Sequence, residues 1–386
     1  MHENNNHRIT VWLFLAFITG FSIYNHLLPQ QAFSETENRS LAVFPKFTIR
    51  EVVNGRWMKA FEESASDQFP FRDSFMRIKT KADLAVGKSD NGKVYFGRDG
   101  YLIGMERPNL KQQTANRILL CSFLERIEKE IESPIPVSVL LVPSAGTVEQ
   151  KKLPEFTPPF EEASEMEALT REIEKVSKKT LVVNAIKPLT TAKENGIQIY
   201  YRNDHHWTTF GAYEVYRDWA AKNKIAPLDR SAFQVRLVSN SFYGTNQAKA
   251  LGAERAADEI YSWSLKENPD YLVEVPSEKR ITHSIYEDAF LRKKDKYAYF
   301  LGRNTGELRI HTPVKNGKNL MVIKDSYANS FVPFLCGHYE SITVIDPRYY
   351  RGKIYDTIQE NKVTEILFLY SFLQFSNDRN FVYGVR

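Results

Sequence analysis

Short apolar runs alternate along the chain with longer stretches in which apolar residues recur every three or four positions. The run Val137-Ser138-Val139-Leu140-Leu141-Val142 and the run Leu181-Val182-Val183 are separated by a helical pattern over residues 164–178. This β-α-β order implies parallel strands joined by a right-handed crossover. A further helical pattern over residues 114–132 precedes them, and Pro134-Ile135-Pro136 ends it. The C-terminal part repeats the rhythm, with strands at 320–323, 342–345 and 366–369 and helices over 327–335 and 354–361. Runs that are apolar at nearly every position suit strands covered on both faces.

Two regions depart from this rhythm. Residues 52–81 read as helix in two pieces, broken at Asp67-Gln68-Phe69-Pro70-Phe71-Arg72-Asp73 by Pro70. Residues 94–103 read as a hairpin with Asp99-Gly100 at its turn. Between residues 222 and 319 the pattern is less regular, with turns at Phe242-Tyr243-Gly244-Thr245 and at Gly302-Arg303-Asn304-Thr305-Gly306. We read that stretch as an insertion.

Residues 9–23 are apolar on all sides, follow Arg8 and a short polar start, and with residues 24–28 reach the length of about twenty that spans a bilayer. The segment is either an uncleaved anchor, the reading we prefer, or a signal peptide cleaved near Ala32-Phe33-Ser34. Either reading places the following chain outside the cytoplasm. Residues 35–45 read as a short extended stalk. The expected organisation is thus a membrane segment over 1–34, a stalk and helical region over 35–100, and an α/β domain over 101–386 with the insertion at about 222–319.

Composition narrows the function. The 386 residues are 13% aromatic, as suits a packed protein, and 52 basic against 47 acidic residues leave a net charge of only +5. No basic run or aromatic–basic repeat suggests nucleic-acid binding. Cys121 and Cys336 are too few for a disulfide framework, and sequence leaves open whether they pair. They have no metal-ligand spacing, nor do His283, His311 and His338. Adjacent imidazoles on an extended segment would point apart, so His205 and His206 are not read as a zinc pair, and no cofactor or metal is expected.

Candidate chemistry concentrates in Asn203-Asp204-His205-His206-Trp207-Thr208-Thr209, between the β-prone residues 199–202 and a helical pattern starting at Gly211. An aspartate can hold one ring nitrogen of a histidine so that the other takes a proton near pH 7. What the stretch lacks is a nucleophile. Asp325-Ser326 supplies a candidate, because it falls where the strand 320–323 gives way to helix, and strand ends of parallel sheets are where ligands bind. The alternative role for Ser326 is that of a simple helix N-cap.

Taken from the serine-bearing strand onward, the five strands follow an order that matches an SGNH hydrolase, circularly permuted: strand and Ser326, strand ending at Asp346, strand ending at Tyr370-Ser371, then the N-terminal pair and the Asp-His loop. The permutation and the motif resemble the DHHW protein family and the related alginate O-acetylation proteins, whose acid and base read Asp-x-His-Trp. Glu37-Asn38-Arg39 with Phe44-Pro45, Asp67-Gln68-Phe69-Pro70 with Arg72, Tyr243-Gly244-Thr245 and Lys324-Asp325-Ser326-Tyr327-Ala328 are similar to that family too. The resemblance implies an α/β, SGNH hydrolase-like three-layer fold with a parallel sheet, in which the insertion covers the site. It further implies a triad of Ser326, His206 and Asp204, with His205 left as a packing or substrate-contact neighbour; Trp207 reads as a core aromatic that locks the loop, with a sugar platform as the alternative.

Two departures from the superfamily pattern stand out. The place of its oxyanion-hole Asn reads Leu369-Tyr370-Ser371-Phe372, so that Ser371, Asn304 and Asn329 are the candidate substitutes, and Ile345-Asp346-Pro347-Arg348 stands where a Gly is expected. Arg348 is a candidate partner of Asp346 and a candidate contact for an anionic substrate. The implied function is an extracytoplasmic O-acetyltransferase or acetylesterase acting on a cell-envelope or secreted polysaccharide, with a membrane-bound O-acyltransferase as acetyl donor. The competing reading is a catalytically weak polysaccharide-binding or assembly protein that keeps the fold.

Overall fold

Alternate residues of the apolar runs face opposite sides of one eight-stranded sheet. In a computed structural model, which describes residues 2–34, 36–37, 39–130, 135–267 and 269–386, we number these strands β1 (Val137–Val142), β2 (Leu181–Asn184), β3 (Leu272–Val275), β4 (Arg280–Thr282), β5 (Glu307–His311), β6 (Asn319–Lys324), β7 (Ser341–Ile345) and β8 (Glu365–Ser371). Leu140, Leu320, Val322, Leu367 and Leu369 enter one core with helices Ile186–Glu194 and Thr209–Lys222. Val139, Leu141, Met321, Ile323, Ile366 and Phe368 enter a second core with helices Leu110–Glu130, Glu162–Val176 and Ile354–Glu360. The result is the three-layer α/β architecture that unbroken apolar strands require.

The spatial order is β4-β3-β5-β7-β6-β8-β1-β2. Strands β7, β6, β8, β1 and β2 are parallel neighbours, whereas β5, β3 and β4 continue the sheet antiparallel. Counted from β6, the parallel part runs 2-1-3-4-5, so the chain order is the circular permutation expected from the sequence. The direction of winding reverses between β6 and β8, and the crevice outside the strand ends at such a reversal is where ligands bind in open α/β sheets.

Three expectations need correction. Residues 222–319 are not merely a cover, because they supply β3, β4 and β5 and a ribbon of strands Phe233–Phe242 and Asp258–Leu265. Residues 327–335 do not form one helix but a 3-10 turn, Ser326–Ser330, followed by the short helix Val332–Leu335. Pro333 has no N–H to bond the carbonyl of Asn329, and the Tyr327 carbonyl accepts instead from Trp207 Nε1 at 3.0 Å. The β-prone residues 199–202 make only a bridge between Tyr200 and Trp207. Glu132 and Pro134, where the helix over 114–132 was expected to end, lie outside the described residues, as do Glu35 and Asn38.

The chain divides into two units, Met1–Lys88 with Leu251–Glu254, and Ser89–Ala250 with Arg255–Arg386; the sheet lies in the second. In the first, the helix His2–Leu27 precedes helices Ile49–Val53, Arg56–Asp67 and Arg72–Ala85. The break at Pro70 falls where expected, and Gly55, with φ of 73°, adds an earlier one. The Arg39 guanidinium donates to both oxygens of Asp67 at 2.9 and 2.6 Å, and Arg72 donates to Glu37 at 2.9 Å. Gln68 donates to the carbonyls of Gln31 and Ala42 at 2.8 Å each. The motif residues of this region thus tie the segment after the first helix to the helix break.

At the strand ends of the second unit, Lys324 Nζ reaches Asp346 Oδ2 at 3.1 Å and the Arg348 fork closes on the same carboxylate at 2.8 and 2.6 Å. Asp346 is fully buried and Lys324 nearly so. Burial alone would raise the Asp346 carboxyl, but the two cations hold it below its ordinary range. Removing the shared anion leaves two cations facing each other. We therefore expect Asp346→Ala to lower unfolding stability by about 3–5 kcal/mol, measured by urea denaturation. A loss under about 1 kcal/mol, the level of an exposed ion pair, would show that solvent already screens the cluster.

Candidate active site

Residues 202–206 form a succession of bends, not a strand, and one buried carboxylate sets their path. Asp258, on the ribbon, accepts from the amides of Arg202 at 3.1 Å and Asn203 at 2.7 Å. The Asn203 side chain donates to the carbonyl of Ala256 at 2.7 Å. On the far side of the loop, Thr208 caps the helix Thr209–Lys222 by accepting from the Gly211 amide at 3.1 Å. A loop fixed at both ends in this way presents its side chains with little freedom.

The Asp204 side chain is 2% exposed. Its Oδ1 accepts from the His206 amide at 2.9 Å and from His206 Nδ1 at 2.5 Å. Its Oδ2 accepts from the amide and hydroxyl of Thr245 at 2.7 and 3.1 Å. Burial alone would raise this carboxyl, but the two imidazoles and these donors hold it well below the ordinary carboxylate range. Gly244 lies so close that a Cβ there would stand 2.1 Å from Asp204 Oδ2. The Tyr243-Gly244-Thr245 stretch is therefore the other half of the carboxylate's seat.

With Nδ1 donating to Asp204, His206 keeps Nε2 as an acceptor, and Ser326 Oγ stands 2.7 Å from it. Asp204, His206 and Ser326 thus form one hydrogen-bonded chain at the point of winding reversal. The imidazole lies flat against the ring of Tyr297, with centroids 3.8 Å apart and planes 11° apart. The Tyr297 hydroxyl reaches Ser330 Oγ at 3.1 Å and the Ser326 carbonyl at 3.3 Å. Trp207, fully buried, donates from Nε1 to the Tyr327 carbonyl and to Ser330 Oγ at 3.0 Å each. It locks the histidine loop onto the serine turn, the core role expected for it.

Asp325 shapes that turn. Its Oδ1 accepts from the Tyr327 amide at 2.9 Å, and its Oδ2 accepts from the amide and hydroxyl of Ser371 at 2.9 and 2.7 Å. Burial pushes the Asp325 carboxyl up, only partly offset by these donors. The Ser371 hydroxyl proton is therefore spent on Asp325, which removes Ser371 as a donor to substrate. Asn304 Oδ1 accepts from Lys324 Nζ at 2.9 Å and from Asn329 Nδ2 at 3.2 Å. The Ser326 amide, by contrast, makes no hydrogen bond among the described residues. Arg348 is bound to Asp346 and is not a free cation.

His205 overturns one expectation, because its ring does not diverge from that of His206. The centroids are 3.8 Å apart, since the bends bring both rings to one side. Asp204, His205 and His206 consequently bring ligand atoms within 4.8 Å of one another, compact enough for a metal ion. All of these ligand atoms but His205 Nε2 are already engaged: the Thr245 hydroxyl proton goes to Asp204, so His205 Nδ1 donates to Thr245 Oγ1 at 2.7 Å. The Tyr327 hydroxyl donates to the His205 carbonyl. Asp258 and Tyr297 carry no sequence signal, since each is a single residue in an irregular stretch, whereas Gly244-Thr245 stands in a recognisable motif.

Comparison with known proteins places this arrangement. Residues 174–345 match the model of the DHHW protein family. Probable alginate O-acetylase AlgJ of Pseudomonas fluorescens is 25% identical over 176 residues, which is 45% of this chain and 44% of that protein. The chain thus spans less than half the length of this curated relative. Among solved structures, a DHHW family protein from Eubacterium siraeum superposes with a TM-score of 0.60 at 22% identity, covering 75% of this chain and 97% of that one. Bacillus cereus PatB1, solved with a sulfonyl adduct, gives a TM-score of 0.62 at 18% identity, over 76% of this chain and 99% of its own. The match to the DHHW family model runs from Glu174 on helix Glu162–Val176 to Ile345 at the end of β7, and so includes both the Asp-His loop and the serine turn.

Proposed function

We propose that the chain is an extracytoplasmic, serine-dependent O-acyltransferase or esterase acting on a cell-envelope or secreted polysaccharide. The observation that carries the reading is the unbroken hydrogen-bond chain from Asp204 through His206 to Ser326. Ser326 Oγ attacks the carbonyl carbon of an acyl ester while His206 Nε2 takes the hydroxyl proton. The free Ser326 amide faces the oxyanion that develops. His206 returns the proton to the leaving oxygen, and an acyl-serine ester remains. A sugar hydroxyl, or water, then attacks that ester, again losing its proton to His206, and Ser326 is regenerated. Asp204 holds the ring in the tautomer with Nδ1 protonated and stabilises the imidazolium.

The alginate O-acetylase name of the relatives supports a polysaccharide as acceptor, and a membrane-bound O-acyltransferase is the acetyl donor we infer. Within the described residues, Arg8–Asn25 is long and apolar enough to cross a membrane, and none of its residues is buried. We read it as the anchor that holds the enzyme at the outer face. One feature favours the second reading, a polysaccharide-binding protein of little activity: the Ser371 hydroxyl, at the place of the superfamily's oxyanion-hole Asn, donates to Asp325 and is not free to supplement the backbone donor.

Acetate release from an activated acetyl ester separates the two. Ser326→Ala and His206→Ala are each expected to lower turnover by roughly 10⁴-fold, the scale of known serine triads, with polysaccharide affinity kept. If wild type releases no acetate yet binds polysaccharide, the enzyme reading falls. His205→Ala is expected to retain most turnover, since its ring touches Thr245 and not Ser326, and a loss equal to that of His206→Ala would reassign the base. Asp204→Asn, checked for folding by circular dichroism, should cost about 10⁴-fold. Gly244→Ala, which pushes a methyl into Asp204, should lower turnover in the same direction while Asp204 remains in place chemically. Unchanged turnover in folded Gly244→Ala would mean that the seat tolerates displacement.

A further inference from the structure

Most residues on the apolar side of the helix Arg72–Ala85 face solvent. Phe71, just before it, is 63% exposed, Phe75 53%, Ile78 63% and Val86, just after it, 74%. With exposed Ala82 they stand at i, i+4, i+7, i+11 and i+15, so they line one continuous stripe down the helix. The opposite side carries the buried Thr80 and Asp83. A water-soluble helix has the reverse arrangement. Lys79 and Lys81, both exposed, flank the stripe; Lys79 pairs with Asp83 at 2.7 Å, while Lys81 makes no ion pair among the described residues.

The start of the stripe lies against the end of the N-terminal apolar helix. The rings of Phe21 and Phe69 are 5.1 Å apart, and those of Tyr24 and Phe71 are 6.3 Å apart and nearly parallel. Phe69 packs in turn on Phe75 at 5.7 Å. Phe71 holds a left-handed backbone, with φ of 56°, that side chains other than glycine seldom adopt. The turn is thereby fixed with its ring pointing outward. Where an apolar helix leaves the hydrocarbon, its last turns sit at the headgroups, and aromatic rings are at home there.

We propose that the helix Arg72–Ala85 lies in the membrane interface, with Phe71, Phe75, Ile78, Ala82 and Val86 toward the acyl chains and the flanking lysines at anionic headgroups. The occupant is the lipid bilayer, for three reasons: the stripe continues from a helix of spanning length, aromatic rings gather at the junction, and cations flank the apolar residues. The inference rests on the anchor reading of Arg8–Asn25. It adds that the first unit lies flat on the bilayer through a second contact.

The test uses the full chain with Cys121→Ser, reconstituted in phosphatidylcholine–phosphatidylglycerol vesicles and spin-labelled at Leu15→Cys, Phe75→Cys, Ile78→Cys or Arg77→Cys. Collision of each label with oxygen, which concentrates in lipid, is compared with collision with a water-soluble nickel chelate. The expected result is an oxygen-to-nickel ratio several-fold higher at positions 75 and 78 than at 77, with 15 higher still. A lipid-like ratio at 15 with water-like ratios at 75 and 78 would overturn the interfacial helix and leave the anchor intact. Labels at 75 and 78 shielded from both reagents would mean that a protein surface covers the stripe, which also overturns it. A water-like ratio at 15 would overturn the anchor, and the interfacial helix with it.

Discussion

A carboxylate taken almost wholly out of water has to find its partners in the protein, and Asp204 finds four donors: the amide and ring of His206, and the amide and hydroxyl of Thr245. Each comes from a segment that is itself fixed. His206 belongs to a loop held by Asp258 and by Trp207, and Thr245 begins a short helix at the end of the ribbon strand. The close approach that Gly244 allows brings the two segments together. Loss of any one donor would leave negative charge uncompensated in a low-dielectric site, so the carboxylate makes the geometry of the imidazole nearly all-or-none.

The serine side is ordered by a different device. Asp325 accepts from the Ser371 and Tyr327 amides, so the residue before Ser326 joins the ends of β6 and β8 where the winding reverses. Tyr297 presses on the imidazole from the insertion, and Trp207 bonds the backbone just past the serine. Serine and histidine are 120 residues apart in sequence. They meet because the sheet sets one, the ribbon seats the other, and two aromatic side chains join the halves.

The parallel strands could be read directly from the sequence, because a strand buried on both faces has to be apolar almost throughout, and Leu320-Met321-Val322-Ile323 is. The helix expected after Ser326 could not: its apolar spacing was helical, but Pro333 and the claim of Trp207 on a carbonyl are tertiary and local chemistry that periodicity does not weigh. The antiparallel strands β3, β4 and β5 were missed for a related reason. They are short, and Glu274, Arg280, Arg309 and His311 on them face partners such as Glu287 and Glu307 rather than a core. Of the site, Asp204, His206 and Ser326 were legible as residue types in a motif, whereas Ser371 was judged by its place in a family pattern and proved to be occupied by Asp325. The expected divergence of the two imidazoles failed because it assumed an extended backbone that the bends at 202–206 do not have.

Under the proposed mechanism transfer and hydrolysis would use the same relay, so the relay does not decide between them. In the proposed reaction either acceptor would lose its proton to His206 and attack the same acyl carbon. What differs is whether a sugar hydroxyl is held there while water is kept away. The groups able to influence that choice lie at the rim, and the most prominent is His205. Its ring leans on that of His206, its side chain is 44% exposed, and its Nδ1 is fixed by Thr245. That leaves Nε2 as an acceptor without a partner among the described residues, beside the His206 ring that the proposed mechanism makes the base. A polyhydroxylated acceptor could satisfy that nitrogen with a neighbouring hydroxyl while its reacting one meets His206. In the proposed reaction His205 is thus a rim group able to contact a polyhydroxylated acceptor without belonging to the hydrogen-bonded chain, placed there by the same bends that build it.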